Sequence, residues 1–230
     1  DQPSLVVLPS GVAVLGGDGG AVRFFTPTTP TSGTFSSQSV GLQTHGAGRL
    51  SLVLPTGHAL FVGGDGTAST VSEVRDFTPK WGSEFAFDLG VVDFSATVLA
   101  SGEILVAGGA KPASSASSNA FLVSNGASPA LAATTPMKTA RARHTGTQLR
   151  SGKVLVVGGV MPQQPSAEVF DPVSQGWTDV PIQDVPRDGH TATLLRDGRV
   201  LLAGGGPTNS PTPEGSIAVY DPKTESVAPL

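Results

Sequence analysis

Five pairs of adjacent glycines divide this sequence into segments of nearly constant length. The pairs stand at 16–17, 63–64, 108–109, 158–159 and 204–205, so successive pairs are 47, 45, 50 and 46 residues apart. A period of this size is typical of arrays in which one small β-unit is repeated and packs on its neighbours. The repeat constrains the fold strongly, because any structure proposed for one segment has to suit all five.

A short turn and a continuous apolar run precede each glycine pair. The turns read PSGV, PTGH, ASGE, RSGK and RDGR, and the later runs read LFV, ILVA, VLVV and VLLA. Ser-Gly and Asp-Gly between apolar runs predict two-residue hairpins, since glycine accepts the positive φ of such turns. The runs are apolar at every position, so we expect both faces of this strand to be buried between neighbouring units.

The glycine pair and the segments after it complete a four-stranded unit. We expect the next unit to crowd the glycine pair so closely that a side chain there would clash. In four copies the third strand runs into Phe-Thr-Pro, Phe-Asp-Pro or Tyr-Asp-Pro. Proline has no N–H to donate to a β-ladder, so we expect the strand to end there. The fourth carries an aromatic or apolar anchor in each copy: Phe35, Phe85, Leu131, Trp177 and Val227. The pattern predicts an all-β fold, a β-propeller of four-stranded blades.

Repeats four and five carry the motifs of a known family. Repeat four reads RHTGTQLRSGKVLVVGG and then FDPVSQGW, and repeat five reads HTATLLRDGRVLLAGG and then VYDP. These stretches resemble the Kelch repeat; repeats one to three resemble it loosely, and repeat three lacks the aromatic-Asp-Pro element. The resemblance covers essentially the whole chain and implies a Kelch-type propeller. It implies little about function, because such propellers serve as binding scaffolds and as enzymes.

The expected organisation is a single domain over residues 1–230. Its blades, called repeats one to five below, lie approximately at 1–42, 43–90, 91–137, 138–184 and 185–230. Kelch rings usually have six or seven blades, so two arrangements stay open. Either five blades close a ring by face packing, or the chain is a segment of a larger ring and is prone to self-association.

Composition excludes several classes of function. The chain has no cysteine, and therefore no disulfide, thiolate metal site or cysteine nucleophile. A net charge of −4 argues against a general nucleic-acid partner. No apolar run approaches the roughly 18 residues of a membrane helix, so membrane insertion is not expected. Low lysine with abundant Ser, Thr, Pro and Gly favours a bacterial protein that is secreted or held in the cell envelope or periplasm.

The starts of the innermost strands are where a ligand would meet the mouth of the central channel. In the Kelch pattern this start lies eight residues before the turn glycine. The candidate ligand-binding residues at or next to these starts are Arg49, Asp93, Arg141, Arg143, His144, Arg187 and His190. Such a basic mouth would suit an anionic ligand. The competing interpretation is that Arg-x-x-His is the repeat consensus and bonds the loops of neighbouring blades.

We predict no catalytic residue, metal ion or cofactor for this chain. His144 and His190, with His45 or Asp93 as a third ligand, are of the right type to bind a metal, but nothing in their spacing requires it. His190 with Asp188 is the corresponding acid–base hypothesis, although Asp188 stands beside a glycine, as turn residues do.

Copper radical oxidases are enzyme relatives on this architecture, and the resemblance implies what their site needs. It requires a cysteine-modified tyrosine, a second tyrosine and histidine ligands. This chain has no cysteine and one tyrosine, Tyr220, which belongs to the structural Tyr-Asp-Pro element. The resemblance therefore does not imply copper radical oxidase activity for this chain.

The leading functional hypothesis is a non-catalytic binding or scaffold module that recognises a protein or glycan partner through one face of the propeller. One alternative is an isomerase or lyase acting on a small anionic sugar at the channel mouth. Another is a structural segment of a larger surface protein. The long connections 26–34, 111–119 and 206–215 are further candidate recognition loops.

Overall fold

The computed structural model shows an all-β fold built from short antiparallel strands. It describes residues 4–9, 11–16, 21–29, 32–39, 50–54, 59–64, 69–75, 80–81, 85–87, 91–110, 115–125, 130–159, 166–182, 187–206 and 215–230. Within these ranges there is no helix that could span a membrane.

Four of the repeats each form one four-stranded sheet whose strands pair in chain order. Repeat one contains β1 (Ser4–Val7), β2 (Ala13–Gly16), β3 (Ala21–Thr29) and β4 (Ser32–Ser39). Repeat three contains β10 (Ser95–Val98), β11 (Ile104–Ala107), β12 (Ala120–Val123) and β13 (Leu131–Ala133). Repeat four contains β14 (Thr145–Gln148), β15 (Val154–Val157), β16 (Ala167–Asp171) and β17 (Gly176–Val180). Repeat five contains β18 (Thr191–Leu194), β19 (Val200–Ala203), β20 (Ile217–Asp221) and β21 (Ser226–Pro229).

Repeat two departs from this plan because its fourth strand is divided into two short strands. It contains β5 (Leu50–Val53), β6 (Ala59–Gly64), β7 (Ser69–Arg75), β8 (Lys80–Trp81) and β9 (Phe85–Phe87). Both β8 and β9 pair with β7, so two short strands share the place that one fourth strand occupies in the other repeats.

The long connections proposed as recognition loops have different outcomes. In repeat one, residues 26–29 and 32–34 continue the β3–β4 ladder, so most of that segment is strand rather than loop. Phe25 and Phe35 stand opposite each other in this ladder with ring centroids 4.9 Å apart, which helps to hold the extended hairpin together. Residues 111–114 and 207–214, in the other two connections, lie outside the described residues.

The chain divides into two compact units. One comprises Asp1–Val92 with Ser124–Ala130, and the other comprises Asp93–Val123 with Leu131–Leu230. In the second unit the first strands of consecutive repeats pack side by side, β10 against β14 and β14 against β18. The candidate site residues that the structure describes all belong to this second unit.

The hairpin between the first two strands is one residue longer than the sequence pattern predicts. In repeat three the Gly102 N–H donates to the Leu99 carbonyl over 2.8 Å, and the Leu99 N–H donates to the Glu103 carbonyl over 2.8 Å. Gly102 has a φ of 85°. This is a three-residue loop whose last residue is left-handed. The glycine is required as predicted, but the two-residue loop length is wrong.

The glycine pairs are crowded as the sequence analysis expects. A Cβ on Gly108 would overlap the carbonyl oxygen of Arg141 and lie 2.6 Å from Cε1 of His144, both from the next repeat. The φ of Gly108 is 69° and that of Gly109 is 97°, a region that favours glycine. The glycine pair therefore lets the backbone of one repeat meet the backbone of the next without an intervening side chain.

Apolar clusters between successive repeats form the core of the second unit. Val154 and Val156 join residues of repeat three, whereas Leu155 and Val157 join residues of repeat five. Side chains alternate between the two faces of a strand, so β15 contributes to both clusters and all four of its residues are buried. This confirms the prediction for β15, and β11 is buried at all four positions as well.

Candidate functional site

Arg141 lies inside repeat four and closes the ends of two of its strands. The side chain is 0% exposed. Its Nη1 donates to the Gly158 carbonyl over 2.9 Å and to the Ser166 carbonyl over 3.2 Å. Its Nη2 donates to Oε1 of Glu168 over 2.6 Å. The guanidinium thus bonds the backbone at the end of β15 and just before β16, rather than facing solvent.

Arg187 has the same position in repeat five. Its Nη1 donates to the Gly204 carbonyl over 2.8 Å and to the Ser216 carbonyl over 3.2 Å, and its Nη2 donates to the Ser216 hydroxyl over 3.1 Å. Only 2% of the residue is exposed. Both arginines of the Arg-x-x-His motif therefore stabilise the glycine end of their own repeat.

The Arg141–Glu168 ion pair is closed to solvent, with 0% and 1% of the two side chains exposed. Burial lowers the pKa of Arg141 from its ordinary value, and the hydrogen bond and charge of Glu168 oppose that change. The carboxylate also accepts the backbone N–H groups of Lys138 over 2.7 Å and Thr139 over 3.1 Å. A buried charge is tolerable only with such partners, so the pair is a structural unit of the repeat.

The two histidines of the motif join consecutive repeats. Nε2 of His144 is 2.8 Å from the Ser95 hydroxyl of repeat three, and Nε2 of His190 is 2.8 Å from the Thr145 hydroxyl of repeat four. Ser95 and Thr145 are the first residues of β10 and β14. Each histidine therefore bonds the hydroxyl that opens the first strand of the preceding repeat.

The His144 ring is neutral over the physiological range. Burial is the main cause that lowers its pKa to about 3, and electrostatic interactions with Arg141 and with the His190 ring lower it further. A neutral imidazole can bind a metal, but Nε2 of His144 is already bonded to Ser95. Among the described residues no three His, Asp or Glu side chains are grouped so that they could hold a metal ion.

Acid should weaken the fold through His144. The folded ring stays neutral down to about pH 3, whereas the unfolded imidazole takes up a proton near pH 6.5. The unfolded state binds more protons in this window, so stability present above pH 6.5 is lost as the pH falls, by up to about 1.4 kcal/mol per unit. Urea unfolding between pH 7.5 and 5 measures the slope. His144→Gln, which keeps a donor but does not titrate, should flatten it; equal slopes would contradict the assignment.

A short rim of left-handed residues precedes the first strands of repeats three, four and five. Asp93 and Arg143 have φ values of 58°, and Gly189 has a φ of 66°. The Arg143 N–H donates to the Asp93 carbonyl over 2.8 Å, and the Gly189 N–H points to the Arg143 carbonyl at 3.5 Å. Equivalent residues of three repeats are therefore linked through their backbones.

The exposed charge at this rim differs from the predicted basic mouth. Nε of Arg143 is 3.1 Å from Oδ1 of Asp188, and 53% of the arginine side chain is exposed. Burial raises the pKa of Asp188, the charge of Arg143 opposes this, and Asp93 adds to it. Because Arg141 and Arg187 are buried, the described rim presents one guanidinium and two carboxyl groups rather than a cluster of cations.

The predicted site residues thus fall into three groups. Arg49 lies outside the described residues. Asp93 and Arg143 meet at the rim, together with Asp188. The remaining four, which the sequence analysis also placed at the mouth, are buried and bonded within and between repeats: Arg141, His144, Arg187 and His190. The histidine bonds between repeats are of the kind that the repeat-consensus interpretation expects, whereas the arginine side chains bond within their own repeat. A ligand role for these residues stays a prediction.

A groove that the sequence analysis missed lies between repeats four and five and has a volume of about 580 Å³. Val169, Trp177 and Tyr220 are among its apolar lining residues. Its charged residues are Lys153, Asp171, Asp179 and Glu225. The FDPVSQGW and YDPKTESV segments that build it were interpreted only as strand ends and anchors. The sequence carried only a weak signal for it, because Glu225 follows the Asp-Pro of repeat five whereas repeat four has Gln175 at the equivalent position.

The groove has an excess of negative charge. Lys153 Nζ is 3.2 Å from Oδ2 of Asp171, and Lys138 at the edge is 2.7 Å from Oδ2 of Asp179. Glu225 is exposed and has no ion-pair partner among the residues that the structure describes. The groove therefore offers one carboxylate without a cation of its own.

Comparisons with known proteins support the fold. No protein-family model matches the chain, and no curated protein matches it. Among solved structures it is similar to a fungal alcohol oxidase of the AA5 family, determined in complex with copper, with a TM-score of 0.61 and 16% sequence identity. The match covers 98% of this chain and 64% of the oxidase chain. The likeness shows a related β-rich fold and no more.

Proposed function

We propose that the chain is a Kelch-type β-propeller that acts as a non-catalytic binding module for a protein partner. The fold part rests on the repeated four-stranded sheets, on the double-glycine and aromatic-Asp-Pro motifs, and on the likeness to the AA5 oxidase at a TM-score of 0.61. The functional part rests on the groove between repeats four and five, which is open while the Arg-x-x-His groups are buried in internal bonds.

The chemistry of the groove favours a peptide segment that carries a lysine or arginine. Glu225 supplies a carboxylate that has no ion-pair partner in the described part of the chain, and Val169 supplies apolar surface in the same groove. A cationic side chain with an apolar stem matches both features. A glycan fits less well, because sugars stack on exposed aromatic rings, and Trp177 and Tyr220 are only 8% and 3% exposed. We therefore favour the protein partner over the glycan partner.

Binding of basic peptides tests this proposal. An array of short synthetic peptides with a central lysine or arginine should yield ligands whose affinity is measured by fluorescence polarisation. Glu225→Lys should weaken binding at least tenfold, since it places like charges together. Glu103→Lys, which makes the same charge change in the hairpin of repeat three, is the matched control and should leave binding unchanged. Peptide binding that Glu225→Lys does not alter would refute the groove assignment.

A small-molecule enzyme at the rim is the second candidate, and Asp188 favours it. Its pKa is raised chiefly by burial, and the Arg143 guanidinium 3.1 Å away would help to bind a sugar carboxylate. An isomerase or lyase reaction would then depend on Asp188 as acid or base. Turnover of a sugar acid that disappears in Asp188→Asn would favour this candidate over the binding module.

The copper chemistry of the AA5 neighbour does not fit the residues of this chain. There is no cysteine, and the single tyrosine is Tyr220. Tyr220 belongs to the apolar cluster between repeats four and five, where it packs with residues such as Leu155 and Leu202. No step of the proposed function involves copper.

A further inference from the structure

One side of repeat five is uncovered, although the corresponding sides of repeats three and four are buried. In β11 and β15 all four residues are buried, whereas in β19 burial alternates along the strand. Val200 and Leu202 are 0% exposed and face repeat four. Leu201 and Ala203, which point the other way, are only partly buried.

The uncovered side is apolar and matches the buried side of repeat four position by position. In repeat four the side that packs on repeat five is formed by Leu149, Leu155, Val157, Ala167 and Val180. In repeat five the corresponding residues, here called the open face, are Leu195, Leu201, Ala203, Ile217 and Leu230. Ile217 is 44% exposed, against 3% for Ala167 at the equivalent position of repeat four. An apolar side chain at these positions is normally buried by the next repeat.

At the glycine pair of repeat five, the space beside the first glycine is empty, whereas in repeats three and four it is filled by the next repeat. A Cβ on Gly158 would overlap the Arg187 carbonyl and lie 3.0 Å from Cε1 of His190, but a Cβ on Gly204 would meet nothing within 4 Å. Gly204 keeps the same left-handed conformation, with a φ of 71° against 68° for Gly158. Gly204 therefore keeps the left-handed backbone conformation of Gly158, but no neighbouring group occupies the space beside its Cα.

The Gly205 N–H and the Thr191 hydroxyl, at the same edge, also lack the partners that the following repeat supplies to the equivalent groups of repeats three and four. Gly109 N–H donates to the Arg141 carbonyl and Gly159 N–H donates to the Arg187 carbonyl, both over 2.9 Å, whereas Gly205 N–H reaches no acceptor in the described residues. Ser95 and Thr145 meet a histidine, but the equivalent Thr191 is exposed and makes only a 3.4 Å bond to the Ala203 carbonyl of its own repeat.

We propose that the open face binds a further four-stranded repeat of the same kind, whose first strand begins with Arg-x-x-His. Its arginine carbonyl accepts the Gly205 N–H, its histidine bonds the Thr191 hydroxyl, and its second and third strands cover Leu201 and Ile217. Each of these contacts is seen twice in the second unit, between repeats three and four and between repeats four and five. The inference does not depend on the groove or on the function proposed for it.

Neither repeat one nor a second folded copy offers this chemistry. Arg-x-x-His occurs in the sequence only at 141–144 and 187–190. In both places the arginine carbonyl and the histidine ring are already bonded to the preceding repeat. Repeat one has Pro3 where the histidine would stand. The occupant is therefore an additional repeat that carries the motif.

An extended chain tests the proposal. Residues 181–230 are duplicated directly after Leu230, which corresponds to Val180, so that the junction reproduces the connection between repeats four and five. Hydrogen exchange at the Gly205 amide should slow at least tenfold in the extended chain relative to the original chain. The same extension with His190→Ala in the added copy alone is the matched control and should recover part of the fast exchange.

Thr191→Val supplies an independent readout. No histidine in the described part of the chain meets the hydroxyl of Thr191, so this variant should leave the thermal midpoint of the original chain nearly unchanged. In the extended chain Thr191→Val removes the hydroxyl that bonds the added histidine, and the thermal midpoint should drop by several degrees. An equal effect in both chains would overturn the proposed contact.

Each pattern of exchange at Gly205 decides the question. Fast exchange in the original chain and slow exchange in the extended chain supports the proposal. Fast exchange in both chains overturns it, because the added repeat then does not cover the face. Slow exchange in both chains also overturns it, because the face is then already covered. Light scattering would then identify what covers the face. A mass above 23.2 kDa would indicate a second copy, and a mass of 23.2 kDa would indicate another part of the same chain.

Discussion

Alanine in place of Gly158 is expected to lower the free energy of unfolding by roughly 3 kcal/mol or more. The new Cβ would overlap the carbonyl oxygen of Arg187 and lie 3.0 Å from Cε1 of His190. The alanine would also have to adopt a φ of 68°, which costs about 1–2 kcal/mol by itself. Valine at this position is larger and should cost several kcal/mol. Urea denaturation followed by tryptophan fluorescence gives the loss.

Gly204→Ala is the matched control because it separates crowding from backbone strain. Its φ of 71° is nearly the same, but no heavy atom lies within 4 Å of the new Cβ. We expect a loss of only about 1–2 kcal/mol, the cost of the left-handed conformation. Equal losses in the two variants would mean that repeat five does not press on Gly158 in solution.

Methionine in place of Arg141 is expected to cost about 3–5 kcal/mol, because it leaves a buried charge without its counter-ion. Glu168 is 1% exposed, so water cannot replace the guanidinium. The carbonyl groups of Gly158 and Ser166 lose a donor at the same time. Thermal and urea unfolding of the variant measure the loss.

Two further variants identify the cause of the Arg141→Met loss. Arg141→Lys keeps a cation near Glu168 and should be less damaging than Arg141→Met. Adding Glu168→Gln to Arg141→Met removes the stranded charge but keeps an acceptor for the Lys138 N–H, and should recover part of the stability. If neither variant is more stable than Arg141→Met, the buried charge is not the cause.

Periodic features of the sequence predicted the sheets, because they depend on local chemistry that recurs in each copy. The third strand of repeat four was predicted to end at its Phe-Asp-Pro element, and the strand is found at Ala167–Asp171. The apolar run VLVV predicted a strand buried on both faces, and β15 is such a strand. Glycine at 108 and 158 predicted crowding, and the neighbouring carbonyls are in contact range.

The candidate site was less predictable because residue type does not fix the direction of a long side chain. Arg141 and Arg143 are two residues apart, yet Arg141 is fully buried against Glu168 and Arg143 reaches solvent beside Asp188. The repeat distinguishes them only in part: Arg141 recurs as Arg187 whereas Arg143 corresponds to Gly189, but the motif does not say which arginine is buried. The groove was missed for a related reason. It is formed by residues about fifty positions apart, such as Asp171 and Glu225, whose proximity depends on how two repeats pack.

Part of the contact between repeats is made by main-chain atoms, and this bears on which substitutions a junction can tolerate. At the two described junctions, between repeats three and four and between repeats four and five, a glycine N–H donates to a carbonyl oxygen, and every residue type has a carbonyl. These junctions therefore depend on the glycines, on the histidine and its hydroxyl partner, and on apolar side chains in the clusters, but not on the side chain of the residue that supplies the carbonyl.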